Sequence, residues 1–481
     1  MTGLLPLRWR HVRWVLAAAA LPVIWACTSP PLSPPNPAPE RTQNQVFQAA
    51  VNRDIDIVFM IDNSLSMMPL QDKLAANFPI FMNTLSSLPG GLPNVNIGVV
   101  SSSLGAGPMA NVANCPLGGD QGQFQSAPQG NCMTGLAAGQ HFLSSIGGMK
   151  NFTGDIATAF SCMAKLGDQG CGFEHQFASV LQALEPGPNF PATNADFLRP
   201  NAFLSIILIT NEDDCSAPPD TDLFVPTGSA TDPMGLMSQL GPQASYRCNE
   251  FGHLCNGQKP PRTPAVQTNC TSAEDGRLLK VADVVARTKA LKNNDMSKII
   301  VAAVTGAPTP YEVIIPDNSD PSYTAGIPNI KHSCVAKDGT YADPSVRIKQ
   351  WVDAFKGTFV SICDDTFEPA LKQIADAIGQ AIGPQCVTGQ LVDSDLTTAG
   401  VQPDCTVTDV TTNAQGAEVQ TAVANCAKNG GTMPCWDAVP NDTSCPGKTL
   451  IDVKRADKPS NLKTDVACAV CIDGVTNPGC K

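Results

Sequence analysis

Residues 54–66 read DIDIVFMIDNSLS, and this stretch decides the fold. Its first eight residues are mostly apolar, which is typical of a strand buried on both faces of a parallel sheet. Apolar residues then recur at helical spacing from Leu70 to Leu85, and residues 95–100 (VNIGVV) form the next apolar run. The stretch therefore predicts a strand, helix, strand unit in which the loop 62–66 directly follows the first strand.

The same alternation continues downstream. Apolar runs predict further strands at 203–210 (FLSIILIT), 298–305 (KIIVAAVT) and 359–363. Helical spacing predicts further helices at 177–184, 278–291, 348–355 and 367–378. Alternating elements of this kind predict the α/β class, with a doubly wound, mostly parallel sheet flanked by helices.

Two long segments interrupt this α/β domain, which we place at residues 54–385. Residues 101–172 and 213–273 are rich in Gly, Pro, Asn and Cys and show little periodicity, so we expect disulfide-stapled insertions near the functional end of the sheet. After the domain, residues 386–481 contain eight cysteines and few large apolar residues. They predict a small module in which cross-links substitute for core volume.

The amino terminus predicts export. Residues 1–26 combine three arginines with an uncharged run, as in a secretory signal, and this run is too short to span a bilayer. Ile24 and Ala26 before Cys27 resemble the lipobox of bacterial lipoproteins, although Trp25 stands where that motif usually has a small residue. The resemblance implies lipidation of Cys27 and an envelope or outer-membrane location, with the anchor as the only membrane contact. Ordinary secretion with cleavage elsewhere is the alternative.

Residues 27–53 follow the predicted anchor point. Their first part is rich in proline and short of large apolar side chains. This composition predicts an extended tether that holds the α/β domain away from the membrane.

The cysteine count also indicates an oxidising compartment. The chain has 19 cysteines, and setting Cys27 aside leaves an even number, enough for nine disulfides. Their pairing cannot be deduced at that count. Zinc is a competing interpretation for Cys468 and Cys471, but no second pair with this spacing accompanies them.

Composition and motifs limit the function classes. The chain carries 31 basic and 43 acidic residues, a formal net charge of −12, which argues against nucleic acid or anionic lipid as a partner and is compatible with cation binding. The sequence contains no GxSxG, HExxH or Walker motif. We therefore do not expect an enzyme.

The strongest candidate site is the group Asp62, Ser64 and Ser66. It follows the first predicted strand, and ligands of open α/β sheets bind at the carboxyl ends of the strands. One carboxylate and two hydroxyls suit a hard cation such as Mg²⁺ or Mn²⁺, and an open coordination position would accept an acidic group of a partner. A serine N-cap at a strand-to-helix turn is the alternative interpretation.

This DxSxS pattern, together with the element order over residues 54–384, resembles the von Willebrand factor type A (VWA) family. In that family the pattern begins the metal-ion-dependent adhesion site, and a threonine from a second loop and an aspartate after the fourth strand complete it. Here Asn211 takes the place of that aspartate, and residues 167–175 contain no threonine. The resemblance implies Asn211 and Asp213 as further metal ligands, with Glu212 as the alternative to Asp213 and Glu174 as an additional candidate.

Further stretches are similar to VWA-domain lipoproteins of the myxobacterial type. They are the leader with Cys27, residues 170–174 (GCGFE), 211–216 (NEDDCS) and 247–252 (RCNEFG), and the Cys-rich tail. The likeness implies a cell-envelope lipoprotein that binds a protein or peptide ligand through a divalent cation. A metal-independent envelope scaffold or assembly component is the alternative function.

Overall fold

The computed structural model describes residues 40–48, 53–88, 91–127, 132–383, 386–387, 389–412, 418–440, 445, 448–456, 463–471 and 478–480. The predicted leader and Cys27 lie outside these residues, so export and lipidation stay predictions. Among the helices of the described part, none is both long enough and apolar enough to cross a membrane.

The helices and strands are numbered here in chain order. The helices are α1 Met68–Ser86, α2 Ile156–Met163, α3 Gln176–Leu184, α4 Tyr246–Gly252, α5 Val281–Ala290, α6 Val346–Ala354 and α7 Glu368–Ile382, with short 3₁₀ turns at Ala192–Asn194 and Met296–Lys298. The strands are β1 Glu40–Gln48, β2 Asp54–Ile61, β3 Asn94–Ser101, β4 Leu143–Ile146, β5 Met149–Lys150, β6 Phe203–Ile209, β7 His253–Cys255, β8 Ala265–Gln267, β9 Cys270–Ser272, β10 Ile299–Thr305, β11 Tyr311–Ile314, β12 Asn329–Ile330, β13 Cys334–Val335, β14 Tyr341–Ala342, β15 Thr358–Ser361, β16 Cys386–Val387, β17 Cys405–Thr412, β18 Glu418–Asn425, β19 Cys435–Pro440, β20 Thr449–Lys454 and β21 Lys463–Cys471.

The α/β domain is built on a seven-stranded sheet of order β15-β10-β6-β2-β3-β4-β5. The strands β15, β10, β6, β2 and β3 run parallel, whereas β4 and β5 are added antiparallel at one edge. Ile61 is in register with both Ser101 and Ile209, so the carboxyl ends of the three central strands lie side by side. The mixed α/β class with a mostly parallel sheet is confirmed.

Helices cover both faces of this sheet. Alternate residues of a strand point to opposite faces, so Phe59 packs in a core with α1, α2 and α7, whereas Val58 and Met60 pack in a core with α3, α5 and α6. All three side chains are fully buried. This two-sided burial is why β2 is an apolar run rather than an alternating one.

The first predicted insertion, residues 101–172, contributes to this core. Its helix α2 places the Phe160 ring against the rings of Phe59 and Phe78. An eight-residue helix gives too short a periodic pattern to stand out in a segment rich in glycine. On the same face of the sheet, α1 runs from Met68 to Ser86 with Pro79 inside it.

Other residues of the two insertions, with Phe173 directly after the first, share a separate small core. It includes Phe173, Phe224 and Phe251 together with the disulfides Cys115–Cys171 and Cys215–Cys248. Both insertions leave the sheet at the carboxyl ends of β3 and β6. This insertion core therefore lies at the edge of the sheet where the candidate site was predicted.

The carboxyl-terminal module has its own seven-stranded sheet, of order β1-β21-β17-β18-β19-β20-β16. Its core contains Trp436, Ile451 and Val466. The edge strand β1 pairs antiparallel with β21 along its whole length, although residues 40–48 had been assigned to the extended tether. The prolines end at Pro39, and the proline-free segment that follows can donate the backbone hydrogen bonds that a strand needs.

All 18 cysteines other than Cys27 are paired, as the even count predicted. The nine disulfides are Cys115–Cys171, Cys132–Cys162, Cys215–Cys248, Cys255–Cys270, Cys334–Cys363, Cys386–Cys445, Cys405–Cys468, Cys426–Cys435 and Cys471–Cys480. The zinc alternative for Cys468 and Cys471 is wrong, because each is in a different disulfide.

Candidate functional site

Asp62 is the centre of the site. Its backbone N–H donates to the carbonyl of Ile209 (2.9 Å), which fixes it at the end of β2. Its fully buried carboxylate accepts hydrogen bonds from Ser64 N (2.8 Å), Ser102 Oγ (3.0 Å) and Thr210 Oγ1 (2.7 Å). The sequence missed Ser102 and Thr210. Each is the first residue after a strand of the sheet, and this position could have marked them as site residues from the sequence.

The two serines of the loop differ in their surroundings. Ser66 Oγ lies 3.0 Å from Asn211 Nδ2 and 3.2 Å from Asn211 Oδ1, so the structure brings these two candidate ligands together. Asn211 also donates to the carbonyl of Tyr341 (3.1 Å). Ser64 Oγ is buried and has no hydrogen-bond partner within the described part of the chain. A buried hydroxyl in that state carries an unsatisfied desolvation cost.

Asp213 does not face this group. Its carboxylate accepts from His253 Nε2 (2.8 Å) and from the backbone N–H groups of Val346 (2.7 Å), Arg347 (2.8 Å) and Ile348 (3.0 Å). Burial alone would raise the pKa of Asp213, but the hydrogen bond and charge of His253 and these N–H groups lower it below its usual value. Both oxygens are committed to capping α6, so Asp213 is corrected from metal ligand to helix cap.

Two glutamates take its place beside Asp62. The carboxyl groups of Glu174 and Glu212 hydrogen-bond to each other, and both sense the charge of Asp62. Burial, followed by the charges of Glu212 and Asp62, raises the pKa of Glu174 well above its usual value. Burial, followed by the charges of Asp343 and Asp62, raises the pKa of Glu212 to about 8. Glu174 was a predicted candidate, whereas Glu212 had been passed over in favour of Asp213.

The loop that carries Glu174 is held closely against the Asp62 loop. Gly170 N donates to the carbonyl of Asn63 (2.8 Å), and a Cβ at Gly170 would collide with the Asn63 side-chain oxygen. The neighbouring Cys171 is tied to Cys115. These contacts explain why the GCGFE stretch needs both a glycine and a cysteine at these positions.

The donors around Asp62 fit a hard divalent cation in chemistry. They are carboxylates, hydroxyls and one amide oxygen, the ligand types that Mg²⁺ and Mn²⁺ prefer. Within the described ranges, no cluster of three or more His, Cys, Asp or Glu side chains is already arranged to hold a metal ion, so the shell would depend on the serines and Asn211. Ser64 Oγ and Glu174 Oε1 are buried without a partner among the described atoms.

Comparisons with known proteins assign no family. No protein-family model matches the chain, and no curated protein matches it in sequence. Similar solved structures include the pilus adhesin SpaC from Lactobacillus rhamnosus GG, at 12% identity over 93% of this chain and 45% of that chain, with a TM-score of 0.31. They also include the pilus adhesin RrgA from Streptococcus pneumoniae, at 10% identity over 90% and 59%, with a TM-score of 0.28. The chain spans about half the length of these adhesin chains, and at such TM-scores the likeness carries no functional argument.

Proposed function

We propose that this chain is an exported, lipid-anchored surface protein with a VWA-type domain that binds a protein or peptide ligand through Mg²⁺ or Mn²⁺. The observation that carries the proposal is the group of acidic side chains Asp62, Glu174 and Glu212 at the carboxyl edge of the sheet. Within the described ranges, none of the three forms an ion pair with Lys, Arg or His.

Electrostatics favours a cation at this place. Buried carboxylates in proteins are normally neutralised by a basic side chain, by a proton or by a metal ion. Here the charge of Glu212 raises the free energy of ionising Glu174, and the charge of Asp62 raises it for both glutamates. A divalent ion between the loops would remove the repulsion and give Ser64 Oγ and Glu174 Oε1 a partner.

Ser64, Ser66, Asn211 and Glu174 would hold the ion together with Asp62, whose carboxylate is oriented by its own three donors. The bound ion would supply a positive charge to which an acidic side chain of a ligand can attach. On the open side of the loop, Leu65 is 75% exposed, which offers apolar contact to the same ligand. An attachment point of this kind suits binding and adhesion rather than catalysis.

Export and anchoring are supported by the chain's own chemistry. Nine disulfides are typical of proteins that leave the reducing cytoplasm. The proline-rich stretch before β1 is short, so lipid at Cys27 would hold the carboxyl-terminal module, to which β1 belongs, close to the membrane.

A metal-independent scaffold is the second candidate function. It is favoured by the hydrogen bond between Glu174 and Glu212, because a shared proton also relieves the repulsion between them. In that case the outer surface of the two insertions, at the same edge, would serve as a packing surface for an envelope partner.

Calorimetry on the full mature chain separates the two functions. Titrating Mg²⁺ or Mn²⁺ should release or absorb heat with the native chain and with Asp168→Asn, a control in the Glu174 loop, but not with Asp62→Asn. An ion at 100 times its Kd should also raise the free energy of unfolding by about 2.7 kcal/mol. No heat and no shift of the urea midpoint with the native chain would leave the scaffold as the function.

A further inference from the structure

Gln71 is a buried amide on an otherwise apolar face of α1. Its side chain is 1% exposed and lies between the core residues Leu70 and Leu74. Buried amides need hydrogen-bond partners, and Gln71 finds them outside its own helix. Its Nε2 donates to the carbonyls of Asp62 (2.9 Å) and Gly167 (2.8 Å), and its Oε1 accepts from Gly167 N (2.9 Å).

These three hydrogen bonds connect the two loops of the candidate site. Asp62 begins the DxSxS loop, and Gly167, with φ of +79°, begins the loop that carries Glu174. We call these three hydrogen bonds the Gln71 clamp. Because Gly167 is bound at both its N–H and its carbonyl, the clamp fixes the orientation of Gly167 as well as its distance from Asp62. The other contacts that hold this loop lie further along it: the backbone hydrogen bonds of Gly170, Glu174 and His175 and the disulfide of Cys171.

An apolar side chain at position 71 would fill the same space in the core and would need no hydrogen bond. The polar side chain instead directs all of its described bonds to the two site loops. We infer that Gln71 is a positioning residue for the cation site, setting the spacing between Asp62 and Glu174 without touching the ion. This inference rests on the proposed function.

Gln71→Met keeps the length and the burial of the side chain but removes the clamp. We expect its Mg²⁺ affinity, measured by calorimetry on the full mature chain, to fall about 10- to 100-fold, as when a residue that supports a metal ligand is lost. The matched control is Gln182→Met, because among the described residues the Gln182 amide donates only to the carbonyl of Gln121 at the surface. Its affinity should equal that of the native chain.

A double-mutant cycle tests whether Gln71 acts through the Glu174 loop. In a Glu174→Gln background, Gln71→Met should weaken Mg²⁺ binding by less than about threefold, because coupled residues are not additive. The full loss in that background would overturn the inference and indicate a general loss of structure.

A second variant guards against misfolding of the first. Gln71→Glu keeps the acceptor for Gly167 N but places an oxygen against the carbonyls of Asp62 and Gly167, so it should also weaken binding while the urea midpoint reports that the chain is folded. Native affinity in both variants would overturn the inference and leave the cation site standing. No binding by the native chain would overturn both the inference and the proposed function.

Discussion

An aspartate is buried at each end of β2, and the two aspartates differ in the charges of their neighbours. At the amino end, Asp56 is fully buried and accepts from Arg199 Nε and Arg199 N, both at 2.7 Å, with Lys292 Nζ at 3.9 Å. At the carboxyl end, Asp62 is equally buried, but its neighbours are hydroxyls, a backbone N–H and two glutamates.

The acidities follow this difference. Burial raises the pKa of Asp56 to about 6, while the charges of Arg199 and Lys292 hold it down. The pKa of Glu212 rises further, to about 8, because burial is reinforced by the charges of Asp343 and Asp62. Within the described residues, the fold thus contains its own counter-charge at the amino end and none at the carboxyl end. That contrast separates a structural ion pair from the acidic group at which we propose a bound cation.

The largest expected effect tests the amino end. Asp56→Ala leaves Lys292, which is 1% exposed, without its carboxylate and leaves Arg199 only the more distant carboxylate of Asp54 (3.9 Å), so we expect a loss of about 3–5 kcal/mol in the free energy of unfolding. Urea denaturation measures it. Asp62→Ala, the same change at the other end of the strand, should lose much less, because relief of repulsion offsets the lost hydrogen bonds. Equal losses would contradict the comparison.

A pH series tests the carboxyl end. Glu212 keeps its proton up to about pH 8 in the native state but releases it near pH 4.5 when unfolded. The native state therefore binds more protons in that window, and stability falls as the pH rises. Between pH 6 and 7.5, above the pKa of Asp56, we expect a loss of about 1.4 kcal/mol per pH unit for each proton retained.

Two controls assign this slope. Glu212→Gln removes one of the two glutamates with a raised pKa and should reduce the slope by about 1.4 kcal/mol per pH unit, and saturating Mg²⁺ should reduce the slope of the native chain by displacing the protons. A flat profile for the native chain without metal would mean that the carboxyl end is no more strained than the amino end.

The fold was predictable because its signals are local. The strands β2, β6 and β10 are nearly continuous apolar runs, and such runs are what strands buried on both faces of a parallel sheet require. Asp62, Ser64 and Ser66 were equally predictable from the sequence, since one short loop carries them all. The pairing of β1 with β21 was not, because it joins opposite ends of the chain and neither strand has a strong pattern.

The rest of the site was not predictable for a geometric reason. Glu212, Asp213 and Asp214 are consecutive carboxyls after β6, yet they face Glu174, the amino end of α6 and Arg347 respectively. Outside a regular strand, the direction of each side chain depends on tertiary contacts rather than on spacing. Sequence spacing alone therefore chose Asp213, where the structure places Glu212.

The smallest expected effect compares two serine hydroxyls within the carboxyl end. Ser102 Oγ donates to Asp62, so Ser102→Ala should cost about 1 kcal/mol of unfolding free energy. Ser64 Oγ is buried without a described partner, so Ser64→Ala should leave stability unchanged or slightly raised without metal.

With Mg²⁺ the order should reverse: Ser64→Ala should lose most of the stabilisation that the ion gives, and Ser102→Ala should keep most of it. A metal ligand is expected to behave in this way, since it is dispensable for the fold but required for binding the ion. If Ser64→Ala instead costs as much as Ser102→Ala in EDTA, Ser64 belongs to the fold, and the carboxyl end resembles the amino end more closely than its charges indicate.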